Sequence, residues 1–294
     1  MKAVFIGCLE SSYTLLDGLL EMDGIEIAGV VTRKASSFNA DFKSLEPLAA
    51  KARVPCLNVG GNNQEKMAAW IDGLNPDVVF CLGWSYLLGP DILAIPKEGV
   101  IGYHPALLPR NRGRHPIIWA LALGLKETGS TFFFMDEGAD SGDILSQQRI
   151  AIGDDDDAAS LYAKLVDAAI NQLGGIVHDL AEGHLKRSPQ DASKATAWRK
   201  RSKDDGKIDW RMPAQGVCNL IRALTHPYPG AHFDYNAGEP KVWKALVSKA
   251  EDEDIEPGRV LSIDGAAITV KCGVGAVNLI EHDIQSPPKV GDCL

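Results

Sequence analysis

Short apolar runs alternate with segments of helical spacing through residues 1–150, and this alternation restricts the fold more than any other feature of the chain. The runs that predict strands are Ala3–Gly7, Ile25–Val31, Val78–Leu82 and Val100–Tyr103. The intervening segments that predict helices include Ser12–Met22 and Asn62–Leu74. Apolar strands joined through helices are typical of parallel sheets that are covered on both faces. The sequence therefore predicts βαβ units and a mostly parallel sheet.

Further strands and helices are predicted downstream of these units. Thr131–Met135 and Ile144–Ile152 have the composition of strands, and they follow a helix predicted over Pro116–Leu125. Asp154–Asp157 form an acidic cluster at the expected start of a helix that continues to about Leu180. Carboxylates there face the positive end of the helix dipole, although simple solvation is the preferred account of most of these aspartates.

A change of composition between His184 and Gly206 predicts a domain boundary. This stretch is rich in Lys, Arg, Ser and Asp, which suits an exposed connector. We therefore predict a first domain over residues 1–188, a connector over 189–205 and a second domain over 206–294. In the second domain we predict a helix and short strands at Pro213–Thr225, Ala231–Tyr235, Lys241–Val247, Gly258–Ile263, Ala267–Cys272 and Val277–Ile280. Strands this short and evenly spaced favour a small barrel or a curled antiparallel sheet.

The charge balance argues against a nucleic-acid partner. The net charge is −9 and the isoelectric point is near 5.3, whereas binding to a phosphate backbone relies on a basic face. From Gly206 to Leu294, nine Lys and Arg residues stand against twelve Asp and Glu residues. An acidic second domain is poorly suited to gripping RNA.

Three other classes of protein find little support in the sequence. Apolar stretches such as Asp77–Trp84 are far shorter than the roughly 20 residues of a membrane span, so we expect a cytoplasmic protein with no membrane partner. The six cysteines lack any metal-ligand spacing, which favours reduced structural thiols and no metal site. Gly7 stands alone after the first strand, without the remaining glycines of a dinucleotide fingerprint.

The first candidate for chemistry is His104, which follows a predicted buried strand in the run Gly102-Tyr-His-Pro-Ala-Leu-Leu-Pro109. Ligands of open α/β sheets bind at the carboxyl ends of the strands, so the position suits catalysis. A single histidine is nevertheless more often structural than catalytic, because only a positioned partner makes it a base.

A second cluster, Met135-Asp-Glu-Gly-Ala-Asp140-Ser-Gly-Asp143, places three carboxylates beside glycines that let the backbone approach a flat ligand. The alternative is an acidic turn whose carboxylates cap backbone amides, and for Asp136 and Asp143 we favour that alternative.

Together these motifs resemble those of a known enzyme family, the 10-formyltetrahydrofolate-dependent formyltransferases. The matching motifs, in order, are Pro76-Asp77, Gly83-Trp84, His104-Pro-Ala-Leu-Leu-Pro109, Arg112-Gly113, Glu127-Thr-Gly129, Gly138-Ala-Asp140-Ser-Gly-Asp143, Ile208-Asp-Trp210 and Pro227-Tyr-Pro-Gly230. The resemblance covers nearly the whole chain. It implies an α/β fold in which a Rossmann-like catalytic domain is followed by a small β-rich, barrel-like (OB-like) domain.

The resemblance also implies a catalytic set of Asn-x-His plus Asp. His104 and Asp140 match the histidine and the aspartate, but Gly102 stands where the family has asparagine. That asparagine would donate its amide to the oxyanion formed when an amine attacks the formyl carbon, and losing one such donor typically costs about 10²–10³ in rate. Asn111 is the most available substitute, with Tyr103 or a backbone N–H as weaker candidates, while a turn-forming role for Asn111 is somewhat more favoured.

For the co-substrate, 10-formyltetrahydrofolate, the resemblance implies two binding segments on either side of the pteridine. The expected residues are Trp84, Ser85, Tyr86, Leu87, Leu88, Met135, Asp136, Gly138 and Asp140. These segments offer apolar walls and backbone hydrogen-bonding groups, which a flat heterocycle requires. For Trp84, simple core packing is an equally good interpretation.

The expected acceptor is an amino sugar, because an acidic second domain is poorly suited to RNA. Its candidate contacts are Tyr103, Pro105, Arg112 and Arg114. Arginine forks suit a diphosphate, so a nucleotide-linked sugar is predicted, although surface solubility accounts equally well for any single arginine. The resemblance implies that such a sugar belongs to surface-glycan biosynthesis. Methionyl-tRNA formylation is the alternative, and a noncatalytic relative that only binds folate or a sugar nucleotide is a third. A homodimer is a possible assembly.

Overall fold

The predicted strands of the N-terminal half form one sheet in the computed structural model, which describes residues 1–36, 39–249 and 254–294. Within these ranges the sheet has seven strands in the order β3-β2-β1-β4-β5-β7-β8. Their bounds are β1 Lys2–Ile6, β2 Glu26–Thr32, β3 Cys56–Asn58, β4 Val78–Cys81, β5 Val100–His104, β7 Glu127–Phe134 and β8 Ile144–Ala151. The first five are parallel to their neighbours, and β7 runs antiparallel to β5. The predicted parallel α/β sheet is thus confirmed.

Helices alternate with these strands as the apolar spacing predicts. They are α1 Glu10–Leu20, α2 Glu46–Lys51, α3 Gln64–Asp72, α4 Pro90–Leu93, α5 Pro116–Ala122, α6 Ala158–Ala181 and α7 Ala214–Leu224. Two 3₁₀ turns lie at Ala192–Lys194 and Asp204–Gly206. Among the helices of the described ranges, none combines the length and the apolar character that a membrane span requires.

The sheet is covered on both faces, which explains its nearly continuous apolar strands. Phe5 and Phe80 are fully buried in one cluster, together with Leu173 of α6. Val79 belongs to a second cluster, which includes Met67 of α3. Successive strand residues point to opposite faces, so a single strand supplies both clusters.

The acidic cluster before α6 forms the predicted helix start and is held by specific bonds. The carboxylate of Asp157 accepts the Ser160 backbone N–H at 2.9 Å, as an N-cap does. The carboxylate of Asp156 accepts the Gly153 N–H at 2.7 Å, and Asp154 pairs with Lys126. Simple solvation therefore does not account for these three aspartates.

The C-terminal part contains a second sheet that is antiparallel, as predicted. In the described part of the chain it has five strands in the order β10-β11-β14-β13-β12. Their bounds are β10 Ala231–His232, β11 Lys241–Ser248, β12 Val260–Asp264, β13 Ala267–Lys271 and β14 Ala276–His282.

The chain divides into two compact units. One comprises Met1–Pro116, Thr128–Ile150 and Ala163–Trp198, and the other comprises Ile117–Glu127, Ala151–Tyr162 and Arg199–Leu294. Within the first unit, β6 Arg112–Gly113 pairs in parallel with β9 Ala197–Trp198. Part of the predicted connector is therefore a paired strand, while the predicted domain bounds at 188 and 206 stay a prediction.

Candidate active site

His104 is the last residue of β5, at the carboxyl end of the parallel part of the sheet. The residue is only 4% exposed. Nε2 lies 2.7 Å from the backbone carbonyl oxygen of Asn111. A carbonyl can only accept, so Nε2 carries a hydrogen, and in the neutral ring Nδ1 presents the lone pair. The loop after β5 thus determines which nitrogen is free to take up a proton.

Asp140 faces that nitrogen. Its Oδ2 atom lies 3.5 Å from Nδ1 of His104, and the same oxygen accepts the Gly113 backbone N–H at 2.8 Å. A carboxylate at this distance stabilises the ring once Nδ1 is protonated. The structure therefore brings together the two side chains that the sequence singles out for proton transfer.

Asp140 reaches His104 only because the chain turns back on itself. Since β7 is antiparallel to β5, Phe134 at its end pairs with Ile101, whereas Thr131 pairs with His104. The turn after β7 has to return toward the end of β5. Asp140 adopts φ +54°, in the left-handed region that few residues other than glycine occupy. Such strain is common at functional sites.

The asparagine of the family motif could stand at Gly102 only if neighbouring side chains moved. A Cβ atom there would lie 2.8 Å from Cγ of Met135 and 2.9 Å from Cζ of Phe133. Real side chains essentially never approach this closely, so both neighbours would have to move. The space beside Gly102 is filled by apolar side chains of this same protein.

Asn111 adopts φ +63° and lies in the loop that bonds the His104 ring. Its backbone N–H donates to Oγ1 of Thr196 at 2.9 Å, and its side-chain oxygen accepts from that hydroxyl at 3.3 Å. These bonds fit a turn residue. They also leave the amide nitrogen without an acceptor among the residues that the structure describes, so its proposed role as an oxyanion donor stays a prediction.

The segments predicted to bind the folate meet at one apolar cluster. Trp84 and Met135 both pack against the cluster that contains Val79 and Leu88. Core packing is thus part of the role of Trp84. Its indole Nε1 is nevertheless buried and, among the described residues, has no hydrogen-bond partner, which is costly unless a ligand accepts from it.

The remaining residues of these segments differ in exposure and bonding. Leu88 is buried, whereas Leu87 is 53% exposed. Ser85 exchanges hydrogen bonds with Asn39, and the hydroxyl of Tyr86 accepts from Arg33.

Asp136 caps its own turn. Its Oδ1 accepts the Gly138 N–H at 3.0 Å and the Ser141 hydroxyl at 2.7 Å, which is the turn-capping role favoured for it from the sequence.

Tyr103 is not brought to this site. It precedes His104 in β5 and points to the other face, where its hydroxyl donates to the Leu165 carbonyl at 3.2 Å and accepts from Ser130. Burial raises the pKa of this hydroxyl well above its usual value. The alternation of side chains along a strand separates Tyr103 from His104, so the sequence alone could have indicated this.

The other predicted acceptor contacts lie in the loop after β5. Pro105 is half-buried and Arg114 is exposed. Arg112 is half-buried, and its Nε and Nη2 atoms donate to Oε1 of Gln190 at 3.2 and 2.7 Å.

Gln190 and Thr196 are residues of the site region that sequence reasoning missed. Both belong to the stretch predicted as an exposed connector, and Gln190 also donates to the carbonyls of Asp140 and Gly142. No motif or periodicity marks either residue, because their partners lie about 50 to 85 positions away in sequence.

The chain is similar to known proteins over nearly its whole length. Residues 1–174 match the family described as "Formyl transferase", and residues 200–290 match "Formyl transferase, C-terminal domain". A methionyl-tRNA formyltransferase of Caldanaerobacter subterraneus subsp. tengcongensis is 35% identical over 99% of this chain and 94% of its own.

Solved structures of similar fold are less similar in sequence. An N-formyltransferase of Helicobacter canadensis, solved with folinic acid and dTDP-3-aminofucose, covers 96% of this chain and 100% of its own at 15% identity, with a TM-score of 0.72. HypX from Aquifex aeolicus is similar over 97% of this chain at 18% identity and a TM-score of 0.69. This chain spans only 45% of HypX.

Proposed function

The chain belongs to the formyl transferase family and is an enzyme that transfers formyl groups, and we propose that it moves the formyl group of 10-formyltetrahydrofolate to the amine of a nucleotide-linked amino sugar. The observation that supports this proposal most is the pair formed by Nδ1 of His104 and the Asp140 carboxylate, 3.5 Å apart.

In the proposed reaction, the acceptor amine attacks the formyl carbon on the folate nitrogen. Nδ1 of His104 takes the proton that the amine must lose, because Nε2 is already bonded to the Asn111 carbonyl. Asp140 stabilises the charged ring until the proton passes to the departing folate nitrogen. The buried position of His104 limits competing proton exchange with water.

The residues fit a folate in two respects. Trp84 and Met135 line the same apolar cluster, as the walls of a pteridine pocket would. The buried Nε1 of Trp84 is a hydrogen-bond donor without an acceptor among the described residues. The nitrogen and oxygen atoms of a pteridine can accept such a bond. Folinic acid is bound in the Helicobacter relative of similar fold.

The choice of acceptor rests on charge. The segment from Gly206 to Leu294 has three more acidic than basic residues, and the whole chain has a net charge of −9. A protein that grips RNA relies on basic groups that displace counterions from phosphates. A sugar nucleotide needs only a local contact to its diphosphate, and the exposed Arg114 is our candidate for that contact.

Methionyl-tRNA formylation is the second candidate. The observation that favours it is the methionyl-tRNA formyltransferase that is 35% identical over almost the full length of both chains. The relatives known to act on sugars are less similar in sequence.

The decisive experiment supplies 10-formyltetrahydrofolate with either a panel of amino-sugar nucleotides or methionyl-tRNA, and follows the mass gain of one formyl group. We expect one amino-sugar nucleotide to be formylated and methionyl-tRNA to be a poor substrate. Formylation of the tRNA alone would reverse the choice of acceptor.

The variant His104→Ala tests the chemistry in the same assay. We expect turnover to fall by about 10²–10⁴, the usual contribution of a general base, while tetrahydrofolate still quenches the tryptophan fluorescence. Normal turnover by this variant would exclude His104 from the mechanism. Binding of folate without turnover of any acceptor in the panel would instead indicate an acceptor of another class.

A further inference from the structure

The side chain of Gln190 joins the two loops that form the candidate active site. Its Nε2 atom donates to the carbonyl oxygens of Asp140 at 2.9 Å and Gly142 at 2.7 Å. Its Oε1 atom accepts from Nε and Nη2 of Arg112 at 3.2 and 2.7 Å. Both donor hydrogens and both acceptor positions of the amide are therefore used.

These bonds form part of a closed network of contacts around Asp140. The residue after Arg112 is Gly113, whose N–H donates to the Asp140 carboxylate at 2.8 Å. The Asp140 turn is thus held at its backbone by Gln190 and at its side chain by Gly113, and Gln190 fixes the loop that carries Gly113 through Arg112.

The strand that follows Gln190 supports the same loop. Arg112 and Arg114 donate their N–H groups to the carbonyls of Thr196 and Trp198 at 2.9 and 3.1 Å. Gly113 lies against this strand with φ +98°, and a Cβ atom there would stand 2.4 Å from the Trp198 carbonyl oxygen. The backbone position of Gly113, and hence its bond to Asp140, depends on this strand.

Asp140 needs external support because its own conformation is unfavourable. Left-handed backbone at a residue other than glycine is strained and persists only where surrounding contacts enforce it. A turn released from Gln190 would relax, and the carboxylate would lose its place 3.5 Å from His104.

We propose that Gln190 is a positioning residue for formyl transfer, which holds the Asp140 carboxylate against Nδ1 of His104 by tying the Asp140 turn to the Arg112-Gly113 loop. This inference rests on the proposed function of the His104–Asp140 pair. It also assigns residues 190–198 to the architecture of the active site, although their composition suggests only a connector.

The test begins with two substitutions at this position. Gln190→Ala removes all four hydrogen bonds, and we expect kcat to fall about 10- to 100-fold, as is usual for residues that orient catalytic groups, with KM for both substrates nearly unchanged. Gln190→Glu keeps an acceptor for Arg112 but places a carboxylate against two carbonyl oxygens. We expect its kcat to fall at least as much as that of the alanine variant, since the hydrogen bonds to the Asp140 and Gly142 carbonyls are lost.

Gln172→Ala is the matched control. Gln172 is also half-buried in the first unit, and it bonds Ser130 and Ser146 with both ends of its amide. Ser130 contacts the hydroxyl of Tyr103, on the face of the sheet away from His104. We expect this variant to lose stability while its kcat stays within about twofold of the parent value, as a purely structural amide should.

Hydrogen exchange gives a readout that does not need activity. The Gly113 amide, which donates to Asp140, should exchange faster in Gln190→Ala than in the parent and stay protected in Gln172→Ala. Unchanged Gly113 exchange, unchanged kcat in Gln190→Ala, or an equal loss of kcat in both variants would each overturn the proposal. If the parent forms no product, the proposed function fails, and Gly113 exchange still decides whether Gln190 holds the turn.

Discussion

At the scale of single residues, each ring nitrogen of His104 in the candidate site has a different partner. The Asn111 carbonyl occupies Nε2 of His104, and the Asp140 carboxylate faces Nδ1. The ring can therefore exchange a proton only at Nδ1, on the side where its charged form is stabilised. The two loops act on His104 from opposite edges, and both are needed to define its chemistry.

Removing the charge of Asp140 tests this arrangement. In Asp140→Asn the Gly113 N–H can still donate to a side-chain oxygen, so the turn should persist, but the ring loses its counter-charge. We expect kcat to fall by about 10² or more with little change in the free energy of unfolding, measured by steady-state kinetics and urea titration. Asp143→Asn, in the same turn, is the control and should keep parental kcat. An unfolded Asp140→Asn protein would point to a capping role instead.

The donor that replaces the family asparagine can be tested at Asn111. If its amide stabilises the oxyanion, Asn111→Ala should lower kcat by about 10²–10³ with KM nearly unchanged. Alanine also strains a left-handed position, so Asn111→Gly is the necessary companion, because it removes the amide without that strain. Both variants should lose kcat equally. Parental kcat in Asn111→Gly would leave a backbone N–H or a bound water as the donor.

At the scale of elements, the direction of β7 decides how the catalytic pair is assembled. In a purely parallel sheet the loops after neighbouring strands meet at one edge, but β7 is antiparallel to β5 and ends beside Ile101. The turn that carries Asp140 must therefore fold back over the sheet. Apolar side chains from β7 and this turn fill the space beside Gly102 as a result.

This packing predicts a stability cost for any side chain on β5 at Gly102. Gly102→Ala should lower the free energy of unfolding by about 1–3 kcal/mol, because Met135 and Phe133 must shift to admit a methyl group. Gly174→Ala on α6 is the contrasting variant, since among the described residues nothing outside the local helix backbone lies within 4 Å of its added Cβ, and alanine there should stabilise the helix by about 0.5–1 kcal/mol. Urea unfolding of the two proteins measures both effects. Equal stability of Gly102→Ala and the parent would show that the site can adapt, and Gly102→Asn could then be tested for partial recovery of kcat in Asn111→Ala.

The short strand β10 gives the C-terminal unit a pH dependence. His232 is 7% exposed, and burial lowers the pKa of its ring. The charged groups around it are Lys203, Asp234, Glu239 and Lys241. Because the folded pKa lies below the unfolded value of about 6.5, the unfolded chain binds the proton first as the pH falls. The free energy of unfolding should therefore decrease as the pH is lowered past about 6.5.

Replacing the histidine should remove this contribution. Between pH 7.5 and 5.5 we expect hydrogen exchange of β10 and β11 to show a larger loss of stability in the parent than in His232→Gln. His178→Gln removes an exposed histidine of α6 and should leave the parental loss intact. An identical pH dependence in parent and His232→Gln would refute the assignment.

At the scale of the whole molecule, net charge distinguishes the acceptor classes. The chain has a net charge of −9, so its long-range field opposes the approach of a large polyanion. A diphosphate on a small sugar nucleotide carries little charge, and one or two arginines can neutralise it. The same argument predicts how the reaction depends on salt.

We expect kcat/KM for the sugar nucleotide to change less than about tenfold between 50 and 200 mM salt. A protein that neutralises 6–10 phosphates loses about 10³–10⁵ in affinity over this range. Bulk tRNA added to the assay should not inhibit. A steep salt dependence together with inhibition by tRNA would favour methionyl-tRNA as the acceptor, which is the acceptor named in the description of the 35% identical relative.

The sequence by itself determined the parallel sheet, the antiparallel sheet and the membership of the family. Strand and helix periodicities are local, so each segment encodes its own element, and a series of ordered motifs identifies a family without any contact being known. The same information indicated His104 and Asp140 as a candidate pair. It could also have separated Tyr103 from His104, since neighbours in a strand point to opposite faces.

Only the tertiary structure decided how these residues meet. Gln190 reaches Arg112 across 78 positions of sequence, and the filling of the space beside Gly102 depends on side chains of β7 and the turn after it. Neither contact leaves a periodic or compositional trace, because it depends on the geometry of segments that are distant in the chain. For the same reason, the strand at Ala197–Trp198 could not be predicted, because the charges of that segment suggested only a connector.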